Sequence, residues 1–83
     1  MKEFRVEMFV NNKWIAGRSP NGGTKRIFTN YMDAIDCHDR IIVLWGEHES
    51  KVKKHYPTEY DSERFPHDFR IVRREVTEWE SIN

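Results

Sequence analysis

The chain has few of the residues that cross-link small proteins or anchor them in membranes. Only one of its 83 residues, Cys37, is a cysteine, which excludes an internal disulfide and a zinc site built from several cysteines. A single thiol is typical of a reducing compartment, so we expect a cytoplasmic location. No apolar run approaches the roughly 20 residues of a membrane span. Arg5 and Glu7 interrupt the apolar start of the chain, so we expect neither a secretory signal nor a membrane partner.

The chain also lacks a net charge, since 14 Lys and Arg balance 14 Asp and Glu. General polyanion binders are usually basic, so the total does not favour that class. The charges are nevertheless unevenly distributed. Residues 1–28 carry six basic and two acidic side chains, residues 29–49 one basic and five acidic, residues 50–56 three basic, and residues 57–68 one basic and four acidic. We therefore expect a surface of two signs, which either reflects ordinary solvation or speeds encounter with a charged partner.

The first segment alternates in the way a half-buried strand does. Over residues 2–10, every second side chain is apolar: Phe4, Val6, Met8 and Val10. The following Asn11-Asn12 pair suits a two-residue hairpin loop, with a return strand over residues 13–18. That register places Phe9 opposite Trp14, as an aromatic pair on the face away from the apolar stripe. After a Pro- and Gly-containing turn, residues 25–28 are predicted to form a third strand.

A helix and a last strand complete the predicted fold. Thr29 or Asn30 suits a helix cap, and Gly46 suits the residue just beyond the helix end. Between them, apolar residues recur at three- and four-residue spacing: Tyr31, Met32, Ala34, Ile35, Ile41, Ile42 and Trp45, with His38 at the core margin. Residues 47–67 lack a period and are predicted to be a long polar loop, either functional or mobile.

The closing segment, Asp68 to Glu80, is predicted to form a strand beside the first one, with a bulge or the end of its buried part near Arg73-Arg74. The order β-β-β-α-β predicts an α+β fold with one domain over residues 1–83. We expect a two-layer sandwich in which one helix covers one face of a mainly antiparallel sheet.

Residues with catalytic or metal-binding chemistry are present, but not in the spacing that such sites use. The four histidines lack the paired close spacings of a zinc site: His38, His48, His55 and His67. Cys37, His38 and Asp39 are consecutive, and neighbouring helix residues point about 100° apart, so they cannot form a relay among themselves. We expect no catalytic residues, no metal and no cofactor, and hence a protein that acts by binding.

One candidate surface combines basic and aromatic residues on the sheet: Arg5, Lys13, Arg18, Lys25 and Arg26, with Phe9 and Trp14. The segment Lys13-Trp14-Ile15-Ala16-Gly17-Arg18-Ser19-Pro20-Asn21-Gly22-Gly23, continued by Phe28-Thr29 and Ala34, resembles a known layout. It is similar to the three-stranded DNA-binding domains of plant ethylene-response factors and some phage integrase arms, over about residues 4–40. The chain departs from that group in having few arginines on strand one and a fourth strand. The resemblance implies a DNA-binding accessory protein that uses the basic sheet face.

The whole chain resembles another group, the small uncharacterised proteins of tailed bacteriophages. The resemblance rests on the short strand pair, the Phe28-Thr29 helix entry, the long polar loop and the closing Phe69-Arg70-Ile71-Val72 strand. Members with a known role tend to bind and inhibit or redirect a host enzyme or defence system. The resemblance implies a non-enzymatic phage-type protein that engages a host protein in the host cytoplasm, and DNA binding is the alternative.

Two surfaces are candidates for the binding of a protein. One is the sheet face around Phe9 and Trp14, because aromatic side chains are enriched at interfaces. The other is the loop over residues 47–67 with Tyr56, Tyr60 and Phe65, because binding residues concentrate on long loops. A homodimer through the same sheet face or through an unpaired strand edge is a further expectation.

Overall fold

A computed structural model describes residues 2–23, 27–75 and 80–82, which form a sheet and a helix layer. The elements are β1 (Glu3–Val10), β2 (Lys13–Ala16), α1 (Tyr31–His55), a 3-10 helix (Ser62–Arg64), β3 (Asp68–Arg74) and β4 (Glu80–Ser81). The strands form one antiparallel sheet in the order β2-β1-β3-β4, and α1 packs against β1 and β3. The predicted α+β two-layer sandwich is therefore confirmed.

β1 and β2 form the predicted hairpin. Asn11 and Asn12 connect them with φ angles of 54° and 62°, a left-handed conformation that asparagine tolerates. The register matches the predicted one, with Val10 opposite Lys13, Phe9 opposite Trp14 and Met8 opposite Ile15. Just after β2, a Cβ at Gly17 would lie 3.0 Å from both the Val6 carbonyl oxygen and Ile41 Cδ1. A glycine at this position therefore lets the chain pass closely between the sheet and α1.

Of the third strand predicted over residues 25–28, the structure describes residues 27 and 28, and these two residues do not form a strand. Lys25 and Arg26 lie outside the described residues, and Phe28 makes a single antiparallel bridge with Phe4 of β1. Each of these two residues donates its N–H to the carbonyl of the other at 2.7 Å. β2 has four residues against eight in β1, so Phe28 satisfies the part of the β1 edge that β2 is too short to reach. The described element order is β-β-α-β-β.

β3 pairs with β1, as predicted for the closing strand, but it ends earlier than the predicted strand. The predicted segment from Asp68 to Glu80 divides into β3, which ends at Arg74, and the two-residue β4. β4 returns antiparallel to β3, with Val72 opposite Ser81. The end of β3 at Arg74 agrees with the change of phase in the sequence, and residues 76–79 lie outside the described part of the chain.

α1 begins where the sequence predicts and ends later. The Asn30 side chain accepts a hydrogen bond from the Met32 N–H at 2.8 Å, and Asp33 lies in the first turn, where the helix dipole favours a carboxylate. The helix then continues through Gly46 to His55 and has 25 residues. Residues 47–55 are therefore helical, and the predicted long loop is reduced to the segment that follows them. A glycine within a helix costs about 1 kcal/mol relative to alanine, which tertiary contacts of the later turns can outweigh.

The core lies between the inward face of the sheet and one side of α1. Its buried members are Phe4, Val6, Phe28, Ala34, Cys37, Ile41 and Ile71. Met32 and Ile42, which the sequence places on the apolar stripe, are exposed instead. Ile41 and Ile42 are consecutive, and a turn of about 100° per residue allows only one of them to face the sheet.

Candidate functional site

The predicted aromatic pair lies on the face of the sheet away from α1, which we call the outer face. The rings of Phe9 and Trp14 are in contact, with centroids 5.2 Å apart, as the predicted register requires. Both residues are half-buried. The guanidinium carbon of Arg70 lies 4.1 Å from the Trp14 ring centroid, so the ring already has a cation on it. This pair is therefore not an open stacking platform.

A buried carboxylate occupies the middle of the outer face. The Glu7 side chain is only 4% exposed, and its Oε1 accepts from Nε and Nη2 of Arg70 at 2.8 and 2.7 Å. Its Oε2 accepts from Nε of Arg5 at 3.0 Å, and Arg5 Nη2 also pairs with it. At the edge, Arg74 donates to Glu3 at 2.9 Å. With Asp68, the described outer face has three carboxylates and three arginines and so carries no net charge.

Of the other basic residues predicted for this surface, the structure describes Lys13 and Arg18. Lys13 pairs with the buried Val10 and so belongs to the opposite face of the sheet. Arg18 is exposed beyond β2, and its carbonyl accepts a hydrogen bond from Trp45 Nε1 of α1 at 2.7 Å. Lys25 and Arg26 lie outside the described residues. The structure thus brings together Phe9, Trp14 and Arg5 of the predicted set.

Arg70 is the functional candidate on the outer face that sequence reasoning missed. It lies opposite Glu7 on β3. The opposite charges of Glu7 and Arg70 would predict this contact only if the register between β1 and β3 were already known.

The three aromatic residues predicted for the loop lie together near the C-terminal end of α1. Phe65 is buried, and its ring centroid lies 5.5 Å from Tyr60, 5.8 Å from His48 and 6.3 Å from Trp45. Tyr56 follows α1 directly, and its N–H caps the helix. The later turns of α1 and the segment after them therefore build one aromatic cluster, which the sequence did not predict because it ended the helix at Gly46.

Beside this cluster runs a groove of about 410 Å³, which we call the aromatic groove. Its apolar walls are Trp45, Val52, Tyr56 and Phe65. Its polar lining consists of Glu59, Asp61, His48 and Arg64. Tyr56 is 59% exposed and is the most exposed aromatic residue among the large hydrophobic residues of the described chain. A concave apolar wall with a few polar groups around it is the usual form of a site that accepts a side chain of a partner.

Tyr60 is fixed at the back of the cluster. Its hydroxyl donates to Glu49 Oε2 at 2.5 Å, and Lys53 Nζ lies 5.2 Å from its ring centroid. The hydrogen bond to the Glu49 carboxylate raises the pKa of Tyr60 to about 12, with smaller contributions from burial and from the charges of Glu49 and Asp61. Tyr60 thus acts as a positioned support for Phe65, whereas Tyr56 is available for contact.

This hydrogen bond can be tested by titration of the phenol. In a Tyr31→Phe, Tyr56→Phe background, Tyr60 is the remaining tyrosine, and we expect its phenolate absorbance to appear with a midpoint near pH 12. Adding Glu49→Gln is expected to lower that midpoint towards the ordinary value of 10, because the carboxylate no longer holds the proton. The folded-state pKa is the raised one, so the stabilisation is present below pH 10 and is lost as the pH rises towards 12. Equal midpoints with and without Glu49 would contradict the assignment.

A second groove, of about 420 Å³, runs along the N-terminal half of α1 and includes Cys37, Asp33, Asp36 and Arg40 in its lining. Burial raises the pKa of the Cys37 thiol, and the charge of Arg40 opposes this. A protonated, buried thiol is a poor nucleophile. Within the described ranges, no three His, Cys, Asp or Glu side chains are grouped so that they could hold a metal ion.

No family model, no curated protein and no solved structure matches this chain. Within residues 2–23, 27–75 and 80–82, no helix combines the length and the apolar character that crossing a membrane requires.

Proposed function

We propose that this protein acts by binding another protein, without catalysis, and that the aromatic groove is the binding site. The observation that carries the proposal is a concave aromatic wall with an exposed tyrosine, Tyr56, at its end. Tyrosine and tryptophan dominate the energetics of protein interfaces because they bury a large area at a small cost in side-chain entropy. Trp45 and Phe65 are held by their contacts within the cluster, so the groove is preorganised for a partner.

The aromatic groove is better suited to this role than the outer face. On the outer face, Phe9 and Trp14 cover each other, Arg70 lies on Trp14, and Glu7 neutralises two arginines. A partner there would have to displace contacts that the fold already makes. At the aromatic groove, the partner only replaces water against Tyr56 and the neighbouring walls.

The lining of the aromatic groove indicates the chemistry of the partner segment. The apolar walls fit an aliphatic or aromatic side chain. Glu59 and Asp61 line its polar part together with Arg64 and His48, so a neighbouring basic side chain of the partner has two carboxylates to contact. A short segment with an apolar anchor next to a basic residue is the ligand that this arrangement favours.

The resemblance to small phage proteins supports a finer form of the proposal. In that form the partner is a host protein, for example an enzyme or a defence component, and binding in the host cytoplasm inhibits or modulates it.

The proposal is tested by affinity capture from bacterial lysate with wild type, Tyr56→Ala and Tyr31→Ala. The two tyrosines are exposed at opposite ends of α1, so Tyr31→Ala is the matched control, with the folding of both variants checked by circular dichroism. We expect wild type and Tyr31→Ala to retain the same protein. Loss of Tyr56 is expected to reduce retention at least about tenfold, the effect of a hot-spot tyrosine. Equal recovery by all three proteins would show that the aromatic groove is not the site.

DNA binding is the second hypothesis and needs its own measurement. The described arginines of the outer face are engaged with carboxylates, so phosphate contacts would have to compete with Glu7 and Glu3. We therefore expect no binding to duplex or single-stranded DNA at low salt. Binding that weakens steeply with added salt would instead establish the nucleic-acid function, because neutralised phosphates release counterions.

A further inference from the structure

The side of α1 that faces away from the sheet contains exposed apolar residues among polar ones. Met32 is 61% and Val43 is 58% exposed, while Ala34 and Ile41 of the same helix are buried in the core. The outward side contains residues at alternating spacings of four and three: Met32, Asp36, Asp39, Val43, Gly46, Ser50 and Lys53. We call this row the outward strip. A spacing of four and three is the pattern by which one helix packs along another.

Gly46, in the middle of the outward strip, is not required by the fold of one chain. A Cβ added there would meet no atom of the described residues within 4 Å outside the backbone of its own helix. A glycine at a helical interior position costs about 1 kcal/mol relative to alanine. Its absent side chain leaves a gap beside Val43 into which a residue of a second helix can pack closely.

The charges of α1 favour a second copy of the same helix, in the antiparallel direction, as the helix that packs here. The first half of the helix contains Asp33, Asp36 and Asp39 against Arg40. Its second half contains Glu47 and Glu49 and then ends with Lys51, Lys53 and Lys54. An antiparallel second copy of the same helix would place the acidic half of each chain along the basic end of the other. A parallel copy would place like charges together.

The register follows from the position of the glycine. When Val43 of one copy packs beside Gly46 of the other, Asp36 lies seven residues before Val43 and Lys53 seven residues after Gly46. Seven residues are about two helical turns, so Asp36 of one copy is opposite Lys53 of the other, and two-fold symmetry repeats the pair. The helix dipole alone explains why acids lie at the start and bases at the end. It does not explain an exposed valine beside a glycine.

We propose that the outward strip is a homodimer interface, in which two copies pack α1 antiparallel around Val43 and Gly46. The aromatic groove lies on the core side of α1, where Trp45 and Phe65 are in contact, and it stays open in this dimer. The dimer therefore presents two binding sites to a partner. A two-helix interface of this length belongs to the small class, with less than about 1,200 Å² buried, so we expect reversible association.

Sedimentation equilibrium of the full chain, from about 1 µM to about 1 mM, tests the proposal over the range of weak dimers. We expect the mass to rise with concentration from 10.1 kDa towards twice that value. Asp36→Lys alone and Lys53→Glu alone are each expected to raise the dissociation constant about tenfold, because two attractive pairs become repulsive. The double variant with both changes is expected to return to within about threefold of wild type.

A second variant, Gly46→Gln, tests the close packing of the two helices. It fills the gap beside Val43 with the side chain of a good helix former. Because the added side chain enters open space, we expect the monomer to gain thermal stability while the dimer is lost. A wild-type chain that stays at the monomer mass up to about 1 mM would overturn the proposal. A dimer that survives these variants is formed by the sheet face or a strand edge and would overturn it equally. Single exchanges that the double variant does not rescue would also exclude the proposed register.

Discussion

Ile41→Ala is expected to lower the free energy of unfolding by about 3–4 kcal/mol, within the usual range for deletion of a buried isoleucine. Ile41 is 1% exposed and lies in the core between α1 and the sheet. Its Cδ1 occupies the place that a Cβ on Gly17 would approach, so the cavity forms where the chain passes most closely. A domain of 83 residues has a total stability of about 4–12 kcal/mol. The substitution therefore removes a large fraction of it.

Ile42→Ala is the matched control, since it deletes the same atoms one position along the same helix. Ile42 is 39% exposed, so we expect a loss below about 1 kcal/mol. Urea denaturation followed by circular dichroism gives both values, with an unchanged slope showing that the denatured state is comparable. Similar losses for the two variants would mean that the orientation of α1 on the sheet differs from the one described here.

These two isoleucines also show how far the sequence determines the fold. The alternation in β1 has a period of two, and only one assignment buries Phe4, Val6 and Met8 together. The Asn11-Asn12 loop then fixes the register with β2, so this part could be predicted residue by residue. In α1 one row of apolar residues packs on the core, whereas Met32, Ile42 and Val43 are exposed. Periodicity alone placed Ile41 and Ile42 on the same face.

The end of α1 was not predictable from local signals. Gly46 resembles a helix terminator in sequence, and the polar residues after it have no obvious period. Contacts distant in sequence stabilise those turns: His48 against Phe65, and Glu49 with Tyr60. The sequence assigned Tyr56, Tyr60 and Phe65 to one candidate loop surface, and in the structure they lie close together. It could not show that they border a groove whose opposite wall is α1.

The burial of Glu7 on the outer face could not be predicted for a similar reason. Alternation assigns Glu7 to the solvent side of β1, and on that side it does lie. Its burial arises because β3 brings Arg70 opposite it, a pairing across 63 positions of the chain. Only the strand register, which depends on the whole sheet, turns this exposed position into a buried ion cluster.

Glu7→Gln is the second substitution with a large expected effect, a loss of about 2–3 kcal/mol of unfolding free energy. Glutamine keeps the shape but removes the charge, and an amide nitrogen would be placed against a guanidinium that needs an acceptor. Breaking a fully buried ion pair costs about 3–5 kcal/mol. Arg5 and Arg70 keep 27% and 31% of their side chains exposed, so water partly replaces the lost partner and reduces the effect.

Glu3→Gln tests whether the large loss of stability expected for Glu7→Gln is due to the burial of Glu7 and not to charge pairing as such. Glu3 pairs with Arg74 on the same face, in the same pair of strands, but about a third of each of these two side chains is exposed. We expect that substitution to change the stability by no more than about 1 kcal/mol, the value of a surface ion pair. Added salt should reduce the contribution of the exposed pair and leave most of that of Glu7, because buried charges are screened much less. If Glu7→Gln and Glu3→Gln had equal effects and equal salt dependence, Glu7 would be solvated like Glu3, and the outer face would be open to a partner after all.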